Sequence, residues 1–188
     1  MHMDSVSLNN HFLIAMPQLD DPNFFHSVTY LCQHDGEGAM GIIINQPLDM
    51  KLAEIFGHLE IDSEDEAVGQ QPVYFGGPVQ QDRGFILHRP SKNWEGTLFV
   101  SDEIALTTSS DILKDIAQHK GPRDSLIALG YAGWGRGQLE RELAQNAWLS
   151  VPASADIIFD TPVEKRWHAA ASLLGIDLQL LSDDIGHA

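Results

Sequence analysis

The distribution of apolar and polar residues near the start of the chain predicts a β-hairpin. Residues 28–32 alternate between two faces, as a half-buried strand does. Residues 39–45 form a continuous apolar run that suits a buried central strand. The intervening HDGEG at 34–38 favours a reversal of the chain, because Asp-Gly and a second glycine are typical of turns.

A short helix is predicted directly after the hairpin, over residues 50–59, with Asp49 as its N-terminal cap. The apolar positions follow helical spacing and are Leu52, Ile55, Phe56 and Leu59. Such a stripe is expected to face the core of the protein.

Strands and helices are mixed through the rest of the chain. Further strands are predicted at 72–75, 84–87, 97–100, 104–107 and 124–130. Further helices are predicted at 109–119, 137–149 and 161–175, the last beginning with a capping box that has Thr161 at the cap and Glu164 at the third position. Because the strands cluster rather than alternate with helices, we predict an α+β fold with a partly antiparallel sheet and helices packed outside it.

The length and the cysteine content limit the organisation. A chain of 188 residues is most simply one domain, so we expect residues 1–188 to form a single unit. Cys32 is the only cysteine, which excludes an intrachain disulfide and any Cys-x-x-Cys motif. Lys51 is the first basic residue, so no secretory signal or transit peptide is expected. The apolar runs are too short for a membrane span, and we expect a soluble cytoplasmic protein without membrane contact.

The charge of the protein is strongly acidic and unevenly placed. Residues 1–82 contain 13 acidic residues and one basic residue, whereas residues 83–188 contain 14 and 10. The acidic run at 60–66 is interpreted as a solvated loop, with a surface for a basic partner as the alternative. Duplex binding depends on Lys and Arg that release counterions, and this chain has no basic stripe. The charge therefore argues against direct binding of nucleic acid.

The stretch FGGPVQQDRGFILH at 75–88 is the first candidate for a site. Gly76 and Gly77 fit no nucleotide-binding motif and are interpreted as residues that supply backbone shape. Arg83 has the geometry to clamp a carboxylate or phosphate, but an ion pair with Asp82 or another acid is favoured in so acidic a chain. His88 is interpreted as a hydrogen-bonded structural histidine, with general-base catalysis as the minority alternative.

Other candidate chemistry is weaker. Cys32 and His34 share a strand face and could in principle form a thiolate–imidazole pair, although a lone cysteine in an apolar strand is more often a core residue. The histidines are scattered singly, so we expect no cofactor and no stoichiometric transition metal. Trp134 lies in the glycine-rich 130–138, which is interpreted as a bent strand-to-helix connection with an aromatic edge for a partner or ligand as the alternative.

Several segments, in order along the chain, resemble the YqgE/AlgH family of bacterial proteins. They are NHFLIAMP (10–17), GAMGIIINQP (38–47), VYFGGPVQQDRGFILH (73–88), ALTTSSDIL (105–113), ALGYAGWGRGQLERELAQNAWL (128–149) and GHA (186–188). The resemblance covers nearly the whole chain from about Asn10. It implies a single domain with a bifurcated sheet curled into a pseudo-barrel, and helices outside. It also implies the label of transcriptional regulator that the family carries, without a catalytic set to transfer.

Three functions follow as hypotheses. The leading one is a non-enzymatic regulatory or binding protein that acts through protein contacts. The alternative is an enzyme of unknown reaction with a cleft near Gly76-Gly77, Arg83 and His88. The third, a direct DNA-binding regulator, follows from the family label and conflicts with the charge. The candidate ligand or partner surface comprises Asn45, Gly76, Gly77, Arg83, His88 and Trp134.

The charge distribution yields a first prediction. We expect the isolated protein to show no specific binding to duplex DNA at physiological salt, because its first 82 residues offer one cation to the phosphates. A gel-shift titration checks this. A binding midpoint at nanomolar protein concentration that rises as salt is added would restore the hypothesis of a direct DNA-binding regulator.

Overall fold

The computed structural model describes residues 7–16, 24, 26–63 and 65–175. The strands are β1 (His11–Ala15), β2 (Val28–Asp35), β3 (Gly38–Ile43), β4 (Pro47–Lys51), β5 (Pro72–Phe75), β6 (Val79–His88), β7 (Thr97–Phe99), β8 (Ala105–Thr107), β9 (Ser125–Trp134) and β10 (Trp148–Pro152). The helices are α1 (Leu52–His58), α2 (Glu66–Gly69), α3 (Asp111–Ala117), α4 (Gln138–Ala144), α5 (Ala155–Phe159), a 3-10 turn (Val163–Lys165) and α6 (Arg166–Ser172).

The strands form one branched sheet in the order β10-β1-β2-β3-β9-β6-β8-β7. Strand β5 joins it by pairing in parallel with β9 and antiparallel with β4, and the other pairings are antiparallel. One edge of β9 pairs with β5 at residues 127–129 and with β3 at residues 132–134, so the sheet divides there. The predicted α+β fold, a mostly antiparallel sheet that is bifurcated and curled with helices outside, is thereby confirmed.

Successive residues of β9 serve different cores, because side chains alternate between the faces of a strand. Leu126 and Ala128 belong to a large cluster shared with β1, β2, α5 and α6. Ile127 belongs to a second cluster built with α1, α2 and α3. Ala132 and Trp134 belong to a third cluster with β1 and β10. Residues of this one strand therefore contribute to all three core clusters.

Glycines permit the backbone contact at the branch point. A Cβ on Gly76 would lie 2.3 Å from the carbonyl oxygen of Gly130, and a Cβ on Gly77 would lie 2.0 Å from the carbonyl carbon of Tyr131. Gly77 also has φ +156° and Gly130 has φ +78°. The Gly76 N–H donates to Leu129 O at 2.8 Å, so the close approach is also hydrogen-bonded. The two glycines of the 75–88 stretch thus shape the backbone and are buried against β9.

Some elements differ from those that the sequence predicts. Residues 47–51 form β4, and α1 begins at Leu52 with Lys51 rather than Asp49 as its cap. The backbone of Lys51 donates to the Glu54 side chain at 2.9 Å, which satisfies the helix start. The helix predicted over 137–149 ends at Ala144. Asn146 takes a φ of 60°, which a helix does not allow, and β10 begins at Trp148.

The capping box predicted at Thr161 is also absent. The Thr161 hydroxyl donates back to Asp156 O at 3.2 Å, and the chain continues as a 3-10 turn before α6 starts at Arg166. Strand β9 extends to Trp134, so residues 130–134 of the predicted bent connection belong to the strand, with Gly130 at φ +78°. In the acidic run, Asp65 caps α2 by accepting a hydrogen bond from Ala67 N at 2.9 Å. Among the described residues, no helix is long and apolar enough to cross a membrane.

The branch point yields a second prediction. We expect Gly77→Ala to lower the free energy of unfolding by more than about 2 kcal/mol, since the added methyl group would overlap the backbone of β9. Urea unfolding monitored by tryptophan fluorescence measures the change. Gly57→Ala is the matched control: Gly57 lies in α1 with open space around it, so alanine should stabilise by about 0.5–1 kcal/mol. Equal stability of wild type and Gly77→Ala would refute the packing role.

Candidate functional site

A groove of about 340 Å³ lies between α1, β6, β9 and the start of α3. Its apolar part is formed by Met50, Ile55, Leu59, Ile86, Leu113, Ile127 and Leu129. Its polar part is formed by His58, Asp82, Arg83, Gly84, Thr108, Ser109 and Ser110. The groove thus combines an apolar interior with a polar rim, as binding sites in proteins generally do.

Helix α1 forms one wall because it is amphipathic. Leu52 and Phe56 are buried in the second core cluster and fix the helix on the sheet. Ile55 and Leu59, one turn apart on the neighbouring face, line the groove. Leu59 follows the last helical residue and remains 45% exposed. The sequence predicts all four residues as one buried stripe, whereas the structure leaves its C-terminal end open to solvent.

The floor of the groove is a consequence of strand periodicity. Ile127 and Leu129 point to the same face of β9, and Ile86 of β6 lies directly beside Ile127 in the antiparallel register. Leu113 of α3 closes the end of the floor. These residues come from three separate elements, so no local pattern in the sequence brings them together.

Arg83 borders the groove, but its guanidinium lies elsewhere. The Arg83 Cζ is 5.7 Å from the ring centroid of Phe85, and Nη1 is 3.5 Å from the side-chain oxygen of Gln80. Phe85 packs in the first core cluster, on the sheet face opposite to Ile86. The ion pair expected between Arg83 and an acid is not formed with any described residue. Asp82 likewise forms no ion pair with a described residue.

His88 is fully buried at the end of β6. Its Nδ1 lies 3.0 Å from Arg89 O and its Nε2 lies 2.7 Å from Thr107 Oγ1. Because a carbonyl only accepts, Nδ1–H donates to it and Nε2 of the neutral ring accepts from the threonine hydroxyl. Burial lowers the pKa of His88, which the hydrogen bond to Arg89 O opposes. The ring is a satisfied structural group.

The residues of the predicted site are not brought together. Arg83 and His88 are five positions apart on one strand, or roughly 16 Å at the usual rise per residue. Gly76 and Gly77 are buried at the branch point. Of these four residues, Arg83 alone lines the groove.

Asn45 and Trp134 hold the structure locally. Asn45 accepts a hydrogen bond from Val28 N and donates one to His26 O, each at 2.9 Å, so it ties two chain segments together. Trp134 is 5% exposed, and its indole N–H donates to Glu142 Oε1 at 3.0 Å. Asn45 is partly exposed, and Trp134 lines a surface depression beside β3.

Cys32 and His34 do not form a reactive pair. Cys32 is buried in the first core cluster, and burial strongly raises the pKa of its thiol. The strand register shifts between Leu31 and Gln33, and His34 instead accepts a hydrogen bond from Leu8 N at Nδ1 over 2.9 Å. Within the described ranges, no cluster of His, Cys, Asp and Glu is arranged to hold a metal ion.

The chain is similar in sequence to known proteins over almost its whole length. Residues 12–179 match the model of the AlgH-like family, DUF179. A UPF0301 protein of Nitrosococcus oceani is 59% identical over 179 residues, which is 95% of this chain and 96% of the relative. A UPF0301 protein of Thioalkalivibrio sulfidiphilus is 56% identical over 184 residues, 98% of each chain.

Solved structures show the same fold. The solution structure of the AlgH protein from Pseudomonas aeruginosa aligns with a TM-score of 0.81 at 50% identity, covering 97% of both chains. The crystal structure of protein DIP2367 from Corynebacterium diphtheriae aligns with a TM-score of 0.73, covering 97% of this chain and 94% of that chain. Its sequence identity is 16%, so this second likeness concerns the fold alone.

The environment of His88 yields a third prediction. Its pKa is lowered in the folded state, so the unfolded chain binds its proton more readily. His88 therefore makes its full contribution to the free energy of unfolding above about pH 6.5, the ordinary pKa of histidine. That contribution is lost as the pH falls toward the lower pKa of the folded state. We expect His88→Gln to unfold more easily at pH 7 but to lose less stability than wild type between pH 7 and 5. Chemical unfolding at several pH values measures both slopes.

The exposed His58 provides the control for that experiment. His58→Gln should leave the stability at pH 7 close to that of wild type, because exposed substitutions usually change it by less than about 0.5 kcal/mol. If His88→Gln and wild type have parallel pH profiles, the buried ring does not titrate differently in the folded state.

Proposed function

The chain belongs to the AlgH-like family, and on that premise we propose that it is a regulatory binding protein that holds a segment of a protein partner in the groove between α1 and β6. It acts through this contact and not through catalysis. Any effect on transcription then passes through the partner, since the acidic chain is a poor ligand for DNA.

The observation that carries the proposal is the open apolar groove itself. Its volume of about 340 Å³ is near the lower limit for small-molecule sites and suits one large apolar side chain of a partner. Leu59 is 45% exposed at its margin and would be covered by such an anchor. An exposed apolar surface with a polar rim is typical of a site for protein contacts.

The charge around the groove supports a basic partner. Helix α1 and Asp82 both belong to residues 1–82, which carry 13 acidic residues and one basic residue. Asp82 lies on the rim, and no described residue forms an ion pair with it. We therefore propose a segment with one large apolar residue flanked by Lys or Arg, because complementary charge speeds association and selects the partner.

The enzyme alternative has less support. A catalytic site requires groups that converge on one reacting atom. Arg83 turns its guanidinium toward Phe85, and His88 is enclosed by Thr107 and Arg89 O. The groove floor carries aliphatic side chains, which suit contact and not proton transfer.

The proposal yields a fourth prediction, tested with Leu59→Asp and the matched control Leu173→Asp. The two leucines are 45% and 47% exposed, so neither change should greatly affect stability. We expect a partner captured from native lysate by the wild type to be lost with Leu59→Asp and retained with Leu173→Asp. Peptide arrays of that partner should then identify a segment with an apolar anchor beside basic residues, and binding to this peptide should weaken as salt is added.

Two results would contradict the proposed function. One is equal capture of the partner by both variants, which would place the contact outside the groove. The other is an array in which acidic or wholly polar segments bind best, which would reject the chemistry inferred from Asp82 and the aliphatic floor.

A further inference from the structure

A second, smaller cavity of about 110 Å³ lies on the opposite face of β5 and β9 from the groove. It is lined by Gln71, Pro72, Tyr74, Ser125, Leu126, Ile158, Phe159 and Arg166. Tyr74 and Leu126 belong to the first core cluster, whereas Val73 and Ile127, their neighbours along the strands, belong to the second. The cavity and the groove are thus separated by the thickness of the sheet.

The cavity contains a buried positive charge. Only 7% of Arg166 is exposed. Its Nε donates to Thr161 O at 3.0 Å, its Nη1 donates to Ile44 O, and its Cζ lies 5.2 Å from the ring centroid of Tyr74. Two of the five N–H groups of the guanidinium are therefore used in these bonds. Among the described residues, no carboxylate lies within ion-pair distance of Arg166.

An unpaired buried cation is costly, because its charge loses the solvation of water. The two backbone carbonyls offset part of that cost but carry no net charge. Three carboxylates next in sequence to lining residues or on α5, Asp124, Asp156 and Asp160, contact Arg89 at 2.8, 3.1 and 3.0 Å and form no ion pair with Arg166. Within the described residues, the guanidinium of Arg166 thus keeps N–H donors that make no hydrogen bond and a charge without a counterion.

Neutral polar side chains also line this cavity. The side chains of Gln71 and Ser125 and the hydroxyl of Tyr74 make no hydrogen bond to any described residue. An amide and two hydroxyls beside a guanidinium form the usual set of donors around an oxyanion. Pro72 at the margin is exposed, so the cavity is accessible from solvent.

From this arrangement we propose that the cavity binds the carboxylate or phosphate group of a small molecule, with Arg166 as the main ligand-binding residue. The volume corresponds to about three or four water molecules and therefore fits one such group. The remainder of a larger ligand extends past Pro72. This site is separate from the groove proposed for the partner. Because the sheet lies between the two, a negative result at one site does not affect the proposal for the other.

The test uses the full chain titrated with inorganic phosphate and, separately, with acetate, at constant ionic strength. Two-dimensional ¹H–¹⁵N spectra report the binding. We expect saturable shifts of the backbone amides at 71, 74, 125 and 126 and of the Arg166 Nε–H, with at least one of the two anions. The anion that binds more tightly identifies the preferred group.

Variants locate the site. Arg166→Gln should weaken binding about ten-fold or more, because charge-assisted hydrogen bonds are lost. Ser125→Ala and Gln71→Ala, which leave the contacts of Arg166 with the backbone intact, should each weaken it about three-fold or more. The exposed Arg136→Gln is the control with equal change of charge and should bind like wild type.

Ser125→Ala and Gln71→Ala still locate the anion if Arg166→Gln does not fold. Absence of saturable shifts with both anions would overturn it. Binding that is unchanged in Ser125→Ala and Gln71→Ala, or that is lost equally in Arg136→Gln, would also overturn it, since the anion would then sit elsewhere on the surface.

Discussion

The contact between the Gly76-Gly77 backbone and strand β9 is the constraint on which the architecture depends. At this point β9 exchanges β5 for β3 as its neighbour, and the chain leaving β5 passes over Gly130 and Tyr131 at a distance that excludes a Cβ. The Ile43 N–H donates to Gly76 O at 2.9 Å, which links the end of β3 to the same place. Without the close approach, the two branches of the sheet would separate.

Because β9 holds both branches, its alternating side chains define two different surfaces. Ile127 and Leu129 face α1 and form the floor of the groove. Leu126 faces α5 and α6 and lines the cavity of Arg166. One surface is apolar and open, and the other is small and positively charged. The proposed partner contact and the proposed anion site are thus consequences of the same strand periodicity.

Two polar side chains that stand out in the sequence are buried. His88 and Trp134 carry polar atoms, so each requires a partner inside the protein. Thr107 and Arg89 O satisfy the histidine, and Glu142 satisfies the tryptophan. Arg166 differs from both, because its charge has no described counterpart. The residue on which the proposed anion site depends is therefore one that no short motif marks.

The sequence by itself determined the class of fold, most strands, and the backbone role of Gly76-Gly77, since these depend on local periodicity and on the absence of a side chain. It did not determine that residues 50 and 51 complete strand β4 instead of beginning α1, because pairing with β5 outweighs local helical preference. Nor did it reveal the groove or the Arg166 cavity. Their residues lie far apart along the chain, and only tertiary packing decides which side chains meet, which are buried, and which charge is left unpaired.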